Sequence, residues 1–444
     1  MSRSNVINKR LVVGLGLTGL SAARWLKRQG FAFDLCDTRE QLPNIDAVRA
    51  EFPDAAIMTG KLNGDVLSQY DQLVVSPGVA LAEPAIQQAI AASVAVTGDI
   101  QLFAEHCDKP IIAITGSNGK STVTTLVGEL LAAAGLNVGV GGNIGVPALD
   151  LGAADVYVLE LSSFQLETTD HLNAWAGVIL NLSEDHMDRY SGMDDYLAAK
   201  QKIFNGCRQI IANRDDATTF PPAGQVNITF GLQAPVVREF GLVRVKGESW
   251  IAFGDELIVS ASELRIKGQH NLANVMAALA LVQTMNVDLN TVLPALKAFA
   301  GLDHRCQWLG EKDGVAFYND SKGTNVGSTL AAINGLGPEI SGRIWLLAGG
   351  EGKGQDFSPL AGPCGEFVAE VLTYGADGGI IANAVSGDCQ VSMQATLDEA
   401  FERACSLADD GDVILLSPAC ASFDQFRNYN HRGEYFRALV EARL

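Results

Sequence analysis

The chain has 444 residues, about three domains' worth at ~150 residues each, and its 48% apolar content is ample for sizeable cores. Its 51 acidic residues against 32 basic ones give a formal charge of −19, which argues against nucleic acid and against an anionic membrane surface. Small phosphorylated ligands stay open, because a basic pocket can sit inside an acidic protein. No run approaches the ~18 apolar residues of a membrane span, and the first residues lack a signal peptide's apolar core. The expectation is a cytoplasmic protein with no membrane insertion. The eight cysteines are scattered without a CxxC pair, which suits reduced thiols and offers no zinc site.

The first block opens with "KRLVVGLGLTGLSAARWLKRQG". A strand runs into Gly14-x-Gly16-x-x-Gly19 and then a helix. "FAFDLCDTRE" follows as a second strand ending near Asp37. This is a Rossmann-type fingerprint, with an acid about 20 residues on for a ribose or base. Alone it admits a nicotinamide-dependent oxidoreductase, because a single GxGxxG does not choose its ligand. "YDQLVVSPGV" adds a strand and a Pro77-Gly78 turn, where another backbone amide could meet a phosphate.

The second block begins near Thr97 to Asp99. "KPIIAIT" is an apolar, β-branched run that predicts a buried strand, and "STVTTLVGELLAAAG" predicts a helix stopped by Gly135. Between them Gly116, Ser117, Asn118 and Gly119 form a turn that presents backbone N–H groups and a helix end to an anion. Lys120 adds a cation for phosphates, and Ser121 or Thr122 a hydroxyl suited to Mg²⁺. The spacing G-x-x-G-K-S is shorter than the common G-x-x-x-x-G-K-[ST]. "ADVYVLELSS" and "AGVILNLSEDH" read as parallel strands with polar carboxyl ends. They bring Glu160 and His186. On residues alone, Glu160 has a surface carboxylate as its plain alternative, and His186 a capping, solvated charge run. "MDDYLAAKQKIF" predicts a helix on which Lys200 alone reads as solvated. "QHNLANVMAALALVQTM" predicts another, with Asn271 at its start in a capping position. His106 and His171 read as ordinary histidines.

The third block starts near Leu302. "GVAFYNDSKGTN", "RIWLLAGGEGKG", "FVAEVLTYGA" and "GDVILLSPACASFDQF" give strands alternating with helices such as "ATLDEAFERACSLA". That predicts a third doubly wound α/β unit. "GGEGKG" has a surface turn with a solvated Lys353 as its plain alternative. His431 and Arg432 are expected to cap or flank the last helix. Two nucleotide-type loops in separate blocks suit an enzyme binding one nucleotide-like substrate and a separate ATP. A dehydrogenase would leave Lys120 unemployed, and a scaffold without catalysis would not need Glu160, His186 and Lys200.

Taken together, "GSNGKST", "LELSSFQLE", "NLSEDHMDRY", "GQHNLAN", His304-Arg305, "NDSKGTN", "GGEGKG" and "LSPACASFDQFRNY" resemble the Mur ligase family, across all three blocks. That resemblance explains the short loop, since the family binds ATP with G-x-x-G-K-[ST]. It implies three α/β domains: an N-terminal Rossmann-like UDP-substrate domain (1–97), a central P-loop-type ATP domain (98–301) and a C-terminal doubly wound Rossmann-like amino-acid domain (302–444). The Ser-Ser-Phe-Gln-Leu-Glu and Ser-Pro-Ala-Cys-Ala-Ser runs favour the member that adds D-glutamate. The expectation is therefore an ATP- and Mg²⁺-dependent ligase of peptidoglycan synthesis. It would join D-glutamate to UDP-N-acetylmuramoyl-L-alanine as a monomer, releasing ADP and phosphate.

The implied chemistry starts from a carboxylate, a poor electrophile that ATP converts to an acyl phosphate. An amine then attacks, and the tetrahedral intermediate expels phosphate. Phosphoryl transfer is mostly positioning and charge neutralisation. The resemblance assigns catalysis to Lys120, Glu160, His186 and Lys200. One Mg²⁺ would sit near Ser121 and Glu160, and a second near His186 and Lys200, the lysine as a carbamate. ATP would also meet Gly116 to Thr122, Asn271, Arg305 and Asp320. The UDP part of the substrate would lie near Leu17, Thr18, Asp37, Thr38, Arg39 and Gly78, with Asn143 on the sugar portion. D-Glutamate would be held by Thr324, Lys353, Ser422 and Tyr429.

Overall fold

Apolar runs at the predicted strand positions build three separate sheets. The structure, a computed structural model, describes residues 9–42, 44–185, 187, 189–266 and 268–444. The first sheet contains β1 (Arg10–Val13), β2 (Phe33–Asp37), β3 (Ile57–Thr59), β4 (Gln72–Val75) and β5 (Ala95–Thr97), all parallel in the order β3-β2-β1-β4-β5. The GxGxxG turn leads from β1 into the helix Leu17–Arg28. Gly19 is required there by close packing: a Cβ would stand 1.8 Å from the Gly14 carbonyl oxygen and 2.5 Å from Ser76 Oγ.

The central sheet has nine strands. They are β6 (Ile111–Thr115), β7 (Val138–Gly142), β8 (Val156–Glu160), β9 (Ala176–Ile179), β10 (Gln209–Asn213), β11 (Val226–Phe230), β12 (Glu239–Val245), β13 (Glu248–Phe253) and β14 (Glu256–Ser260). Their order is β14-β13-β12-β11-β10-β9-β6-β8-β7. The run β7 to β12 is parallel, and β13 and β14 close the edge as an antiparallel meander. The sequence reading did not include that meander. The helices Lys120–Ala133 and Gln269–Gln283 cover one face, with Leu126, Leu130, Val275 and Leu279 packed on Ile112, Ile114, Val158 and Val178. The opposite face shares one core with the first unit: Val12, Leu26 and Val74 lie in the same cluster as Ala113, Leu159 and Leu166.

The third sheet contains β15 (Gln307–Lys312), β16 (Val315–Asn319), β17 (Ile344–Gly349), β18 (Val368–Tyr374), β19 (Gln390–Met393) and β20 (Val413–Leu416). Its order is β15-β16-β20-β17-β18-β19, parallel except for the edge strand β15. Its two faces carry their own cores. This unit meets the glycine turn after β6 and the residues beside it through hydrogen bonds. Arg305 Nη2 donates to Ser121 Oγ at 2.7 Å, Ser328 Oγ to Asn118 Oδ1 at 2.6 Å, and Asn325 Nδ2 to Asp185 Oδ2 at 3.3 Å.

Three local expectations are corrected. The helix Met193–Gln201 gives way to a 3₁₀ turn at Lys202–Phe204 instead of running through Phe204. The helix Gln269–Gln283 is capped at Gly268, so Asn271 is not its cap. The last helix, Tyr429–Arg443, is capped by Asn428, whose side chain accepts from the His431 N–H. Arg432 neither caps nor flanks it: the side chain is fully buried and holds Ser321, Gly349 and Cys420. No helix among the described residues is long and apolar enough to cross a membrane.

The packing at Gly19 generates a stability test. Gly19→Ala forces the helix Leu17–Arg28 off the Gly14 carbonyl and should cost about 1–3 kcal/mol, as overpacked sites do. The measurement is the urea midpoint followed by circular dichroism. An unchanged midpoint would show that the helix does not depend on this contact.

Candidate functional site

The carboxyl ends of β6 and β8 open into a cavity of about 310 Å³, walled on its far side by the third unit. The strand β6 turns at Gly116–Gly119 into the helix Lys120–Ala133, as the sequence predicts. Gly119 has φ +82°, and a Cβ on it would lie 2.4 Å from Asn274 Oδ1, so this position takes only glycine easily. The loop is latched from below. Asn118 N–H donates to Asn181 Oδ1 at 2.8 Å, and Ser183 N–H to Ser117 Oγ at 2.9 Å.

Two lysines converge on one oxygen. Lys120 Nζ donates to the Gly116 carbonyl at 2.8 Å and Lys200 Nζ to the same carbonyl at 2.9 Å. Lys200 is 1% exposed and packs on the Tyr196 ring, which overturns the solvated reading of this lysine. Burial, then the charge of Lys120, hold its amine well below the usual lysine range. Burial also lowers Lys120, against the pull of Glu160 and Asp185. Burial and the charges of Arg305 and Lys120 bring Lys322 down to about 8.

Glu160 ends β8 and is 3% exposed, so it is no surface carboxylate. Its Oε1 accepts from Asn143 Nδ2 at 2.7 Å, while Oε2 is buried without a hydrogen-bond partner. An unpartnered buried carboxylate oxygen is costly unless a cation completes it. Ser121 Oγ, held by Arg305, lines the same cavity. This oxygen pair fits Mg²⁺, which takes few protein ligands and keeps phosphates and water. Among the described residues no group of three or more histidine, cysteine and acidic side chains could hold a metal ion by itself. His186 lies outside the described residues.

A smaller cavity of about 80 Å³ adjoins the loop and is lined by Gly119, Thr122, Asn271, Asn274, Arg305, Asp320 and Lys322. Asn271 and Asn274 share a helix face, and Asn274 Nδ2 donates to Asn271 Oδ1 at 3.3 Å. Asp320 accepts from Ser417 Oγ at 2.7 Å and from Cys306 N–H at 3.1 Å. Burial raises its carboxyl to about 7 despite these bonds.

The third cavity, about 440 Å³, lies at the carboxyl ends of the first sheet. Leu17, Thr18, Asp37, Thr38, Arg39, Gly78 and Asn143 all line it. Asp37 is already engaged: Leu15 N–H donates to it at 2.7 Å, and Arg39 donates to both oxygens at 2.7 and 2.8 Å. Burial works to raise this carboxyl, and the Arg39 bonds outweigh it, leaving the group below the ordinary range. An acid tied up by an arginine is a poor reader of a dinucleotide's ribose, which weakens the oxidoreductase alternative.

The predicted amino-acid residues divide. Thr324 and Lys353 line the main cavity, but Ser422 and Tyr429 are not among its lining residues. Lys353 is exposed on the turn after β17, with a left-handed backbone at φ +53°. Ser422 is buried next to the Glu351–Ala421 bridge. Lys322 lies 4.3 Å over the Tyr429 ring. Lys322, Asn325, Ser328, Asp185 and Tyr196 line the main cavity without having been assigned from sequence. Lys322 stood inside the quoted "NDSKGTN", and its closeness to Thr324 was the available signal.

Three family profiles match the chain: the Mur ligase MurD-like N-terminal domain over residues 8–98, the Mur ligase middle domain over 114–282, and the Mur ligase glutamate ligase domain over 304–420. A UDP-N-acetylmuramoylalanine–D-glutamate ligase of Pseudomonas aeruginosa is 51% identical over 436 residues, covering 97% of both chains. The enzyme of that name from Hahella chejuensis is 49% identical over 435 residues, with the same 97% coverage of each. Among solved structures, a UDP-N-acetylmuramate–alanine ligase of Thermotoga maritima shares the fold. Its TM-score is 0.62 at 18% identity, over 98% of this chain and 100% of that one. A MurF ligase of the same organism in complex with ADP gives 0.60 at 15% identity, over 100% and 97%. With all three units matched and half of its residues shared with such relatives, the chain belongs to the Mur ligase family.

Proposed function

We propose that the chain is an ATP-dependent amide ligase of peptidoglycan precursor synthesis that adds D-glutamate to UDP-N-acetylmuramoyl-L-alanine. The observation that carries the reading is the convergence of Lys120 and Lys200 on the Gly116 carbonyl beside the unpartnered Glu160 oxygen. A polyanion entering there relieves repulsion among cations and completes a glycine-rich nucleotide loop. The names of the relatives at about half identity support the choice of amino acid.

In this reading the N-terminal unit (1–97) seats UDP at Leu17, Thr18, Arg39 and Gly78, and Asp37 orients Arg39 toward it. The central unit (98–301) binds ATP through the Gly116–Thr122 loop and Asn271, with Arg305 and Asp320 from the C-terminal unit (302–444). Lys120 and Arg305 neutralise the phosphates as the substrate carboxylate attacks the γ-phosphoryl group. ADP leaves and an acyl phosphate remains. The neutral amine of D-glutamate then adds to that carbonyl, and inorganic phosphate departs. Magnesium, held by Ser121 and Glu160 and at a second place by His186 and Lys200, would supply charge neutralisation to the phosphoryl oxygens. The protein works as a cytoplasmic monomer.

The test is phosphate release with ATP, UDP-N-acetylmuramoyl-L-alanine and a panel of amino acids. Release should require D-glutamate. D-Alanine should be a very poor substrate, because donors built for the second carboxylate are left unpaired. Preference for L-lysine or meso-diaminopimelate would make this another kind of Mur ligase.

Lys200 generates a second prediction. A protonated lysine repels a cation, but a neutral amine adds to CO₂ to give a carbamate, a carboxylate on a long arm. The amine is held well below its usual value by burial, so its neutral form is within reach. Lys200→Ala should lose nearly all turnover and regain part of it with added acetate. Full activity of the variant would remove the assignment.

Lys353 generates a third. Its ammonium lines the cavity from the C-terminal unit and is offered to a carboxylate of D-glutamate, with Thr324, Ser422 and the backbone near Tyr429 as further donors. Lys353→Ala should raise the KM for D-glutamate about tenfold or more while changing that for ATP little. An unchanged D-glutamate KM would put the pocket elsewhere.

A further inference from the structure

Arg189 occupies the joint between the first and central units. Its Nη1 donates to the Pro77 carbonyl at 2.8 Å and its Nη2 to the Val79 carbonyl at 3.3 Å. These carbonyls flank Gly78, and all three residues line the N-terminal cavity. On its other side, Nη2 pairs with Glu167 Oε2 at 2.9 Å, and the guanidinium lies 4.0 Å over the Phe164 ring. Phe164 lines the main cavity and follows Glu160 by four residues. Tyr190 holds the second oxygen of Glu167 at 2.6 Å and stacks on Phe164. The pair is well shielded, with side chains 13% and 15% exposed.

We propose that Arg189 is a positioning residue that fixes the span between the N-terminal cavity and the main one. The inference rests on the ligase reading, in which one substrate must reach across both cavities with its carboxylate at the phosphoryl acceptor position. A planar guanidinium can face two carbonyls and a carboxylate at once, which an ammonium point charge cannot do with the same rigidity. Arg189 therefore ties the turn bearing Gly78 to the short helix that continues from Glu160. Its side chain is not among the lining residues of either cavity. It sets how far apart the two ends of the substrate are held.

The experiment compares wild type with Arg189→Lys and Arg189→Ala. Calorimetry gives the affinity for UDP alone and for UDP-N-acetylmuramoyl-L-alanine, and steady-state assays give kcat and each KM. Misplacement of reacting groups by about 1 Å can cost on the order of a hundredfold. In both variants kcat should fall about tenfold to a hundredfold, and the affinity advantage of the full substrate over UDP should shrink. UDP affinity itself and the ATP KM should stay within about twofold, since neither ligand spans the joint. A kcat equal to wild type in Arg189→Lys overturns the proposal. So does a loss of UDP affinity as large as that of the full substrate, because Arg189 would then only shape the nucleotide seat. Arg189→Lys keeps the charge and most of the packing, so the test stands even if Arg189→Ala misfolds. A wild-type protein that releases no phosphate with D-glutamate overturns the ligase reading itself, whereas a variant matching an active wild type overturns only the role of Arg189.

Discussion

Positive charge gathered in one cavity of an acidic chain is the constraint around which the rest is arranged. Lys120, Lys200, Arg305 and Lys322 share a wall with few acids, and all four are held below their ordinary values, first of all by burial. Such a cluster costs stability unless something anionic occupies it. The backbone absorbs part of that cost: the Gly116 carbonyl takes both amines, and Ser121 takes the guanidinium. In the ligase reading the phosphates of ATP take over this task, so binding energy is stored as relief of repulsion.

The two joints of the molecule differ in kind. The first and central units share a continuous apolar core, with Leu26 and Val74 clustered with Leu159 and Leu166, and Arg189 crosses their seam. Water has no access to such a core, and bending it would expose apolar area. The third unit has separate cores and touches Asn118 and Ser121 of the glycine loop and its helix through Arg305, Asn325 and Ser328. Hydrogen bonds of this kind exchange with water at small net cost.

Local patterns made much of this legible from sequence. Strand β6, its glycine turn and the helix after it follow from an apolar run, small residues and helix formers in immediate succession. The family resemblance named the residues around the N-terminal cavity, and most of them meet there because the GxGxxG turn, Asp37 and the Pro77-Gly78 turn all end neighbouring strands of one sheet. Contacts between distant blocks were not legible. Lys200 sits on a helix with little amphipathic contrast, and only the fold turns it under Gly116. Arg432 sits beside the helix start, where a capping role is natural, yet its side chain points inward to Ser321 and Cys420. Asp37 was legible in position but not in state, because its engagement by Arg39 depends on a side-chain orientation that spacing does not specify.

The polar seam between the central and third units has an evolutionary meaning. Two apolar surfaces that interlock must change together, residue for residue, whereas a few hydrogen bonds ask much less of a newcomer. A different third unit could be grafted onto the same first two. It would need an arginine to meet Ser121 and small donors to meet Asn118. In the ligase reading, selectivity for the incoming amino acid could then be exchanged as a module, while the proposed ATP loop and UDP seat stayed untouched.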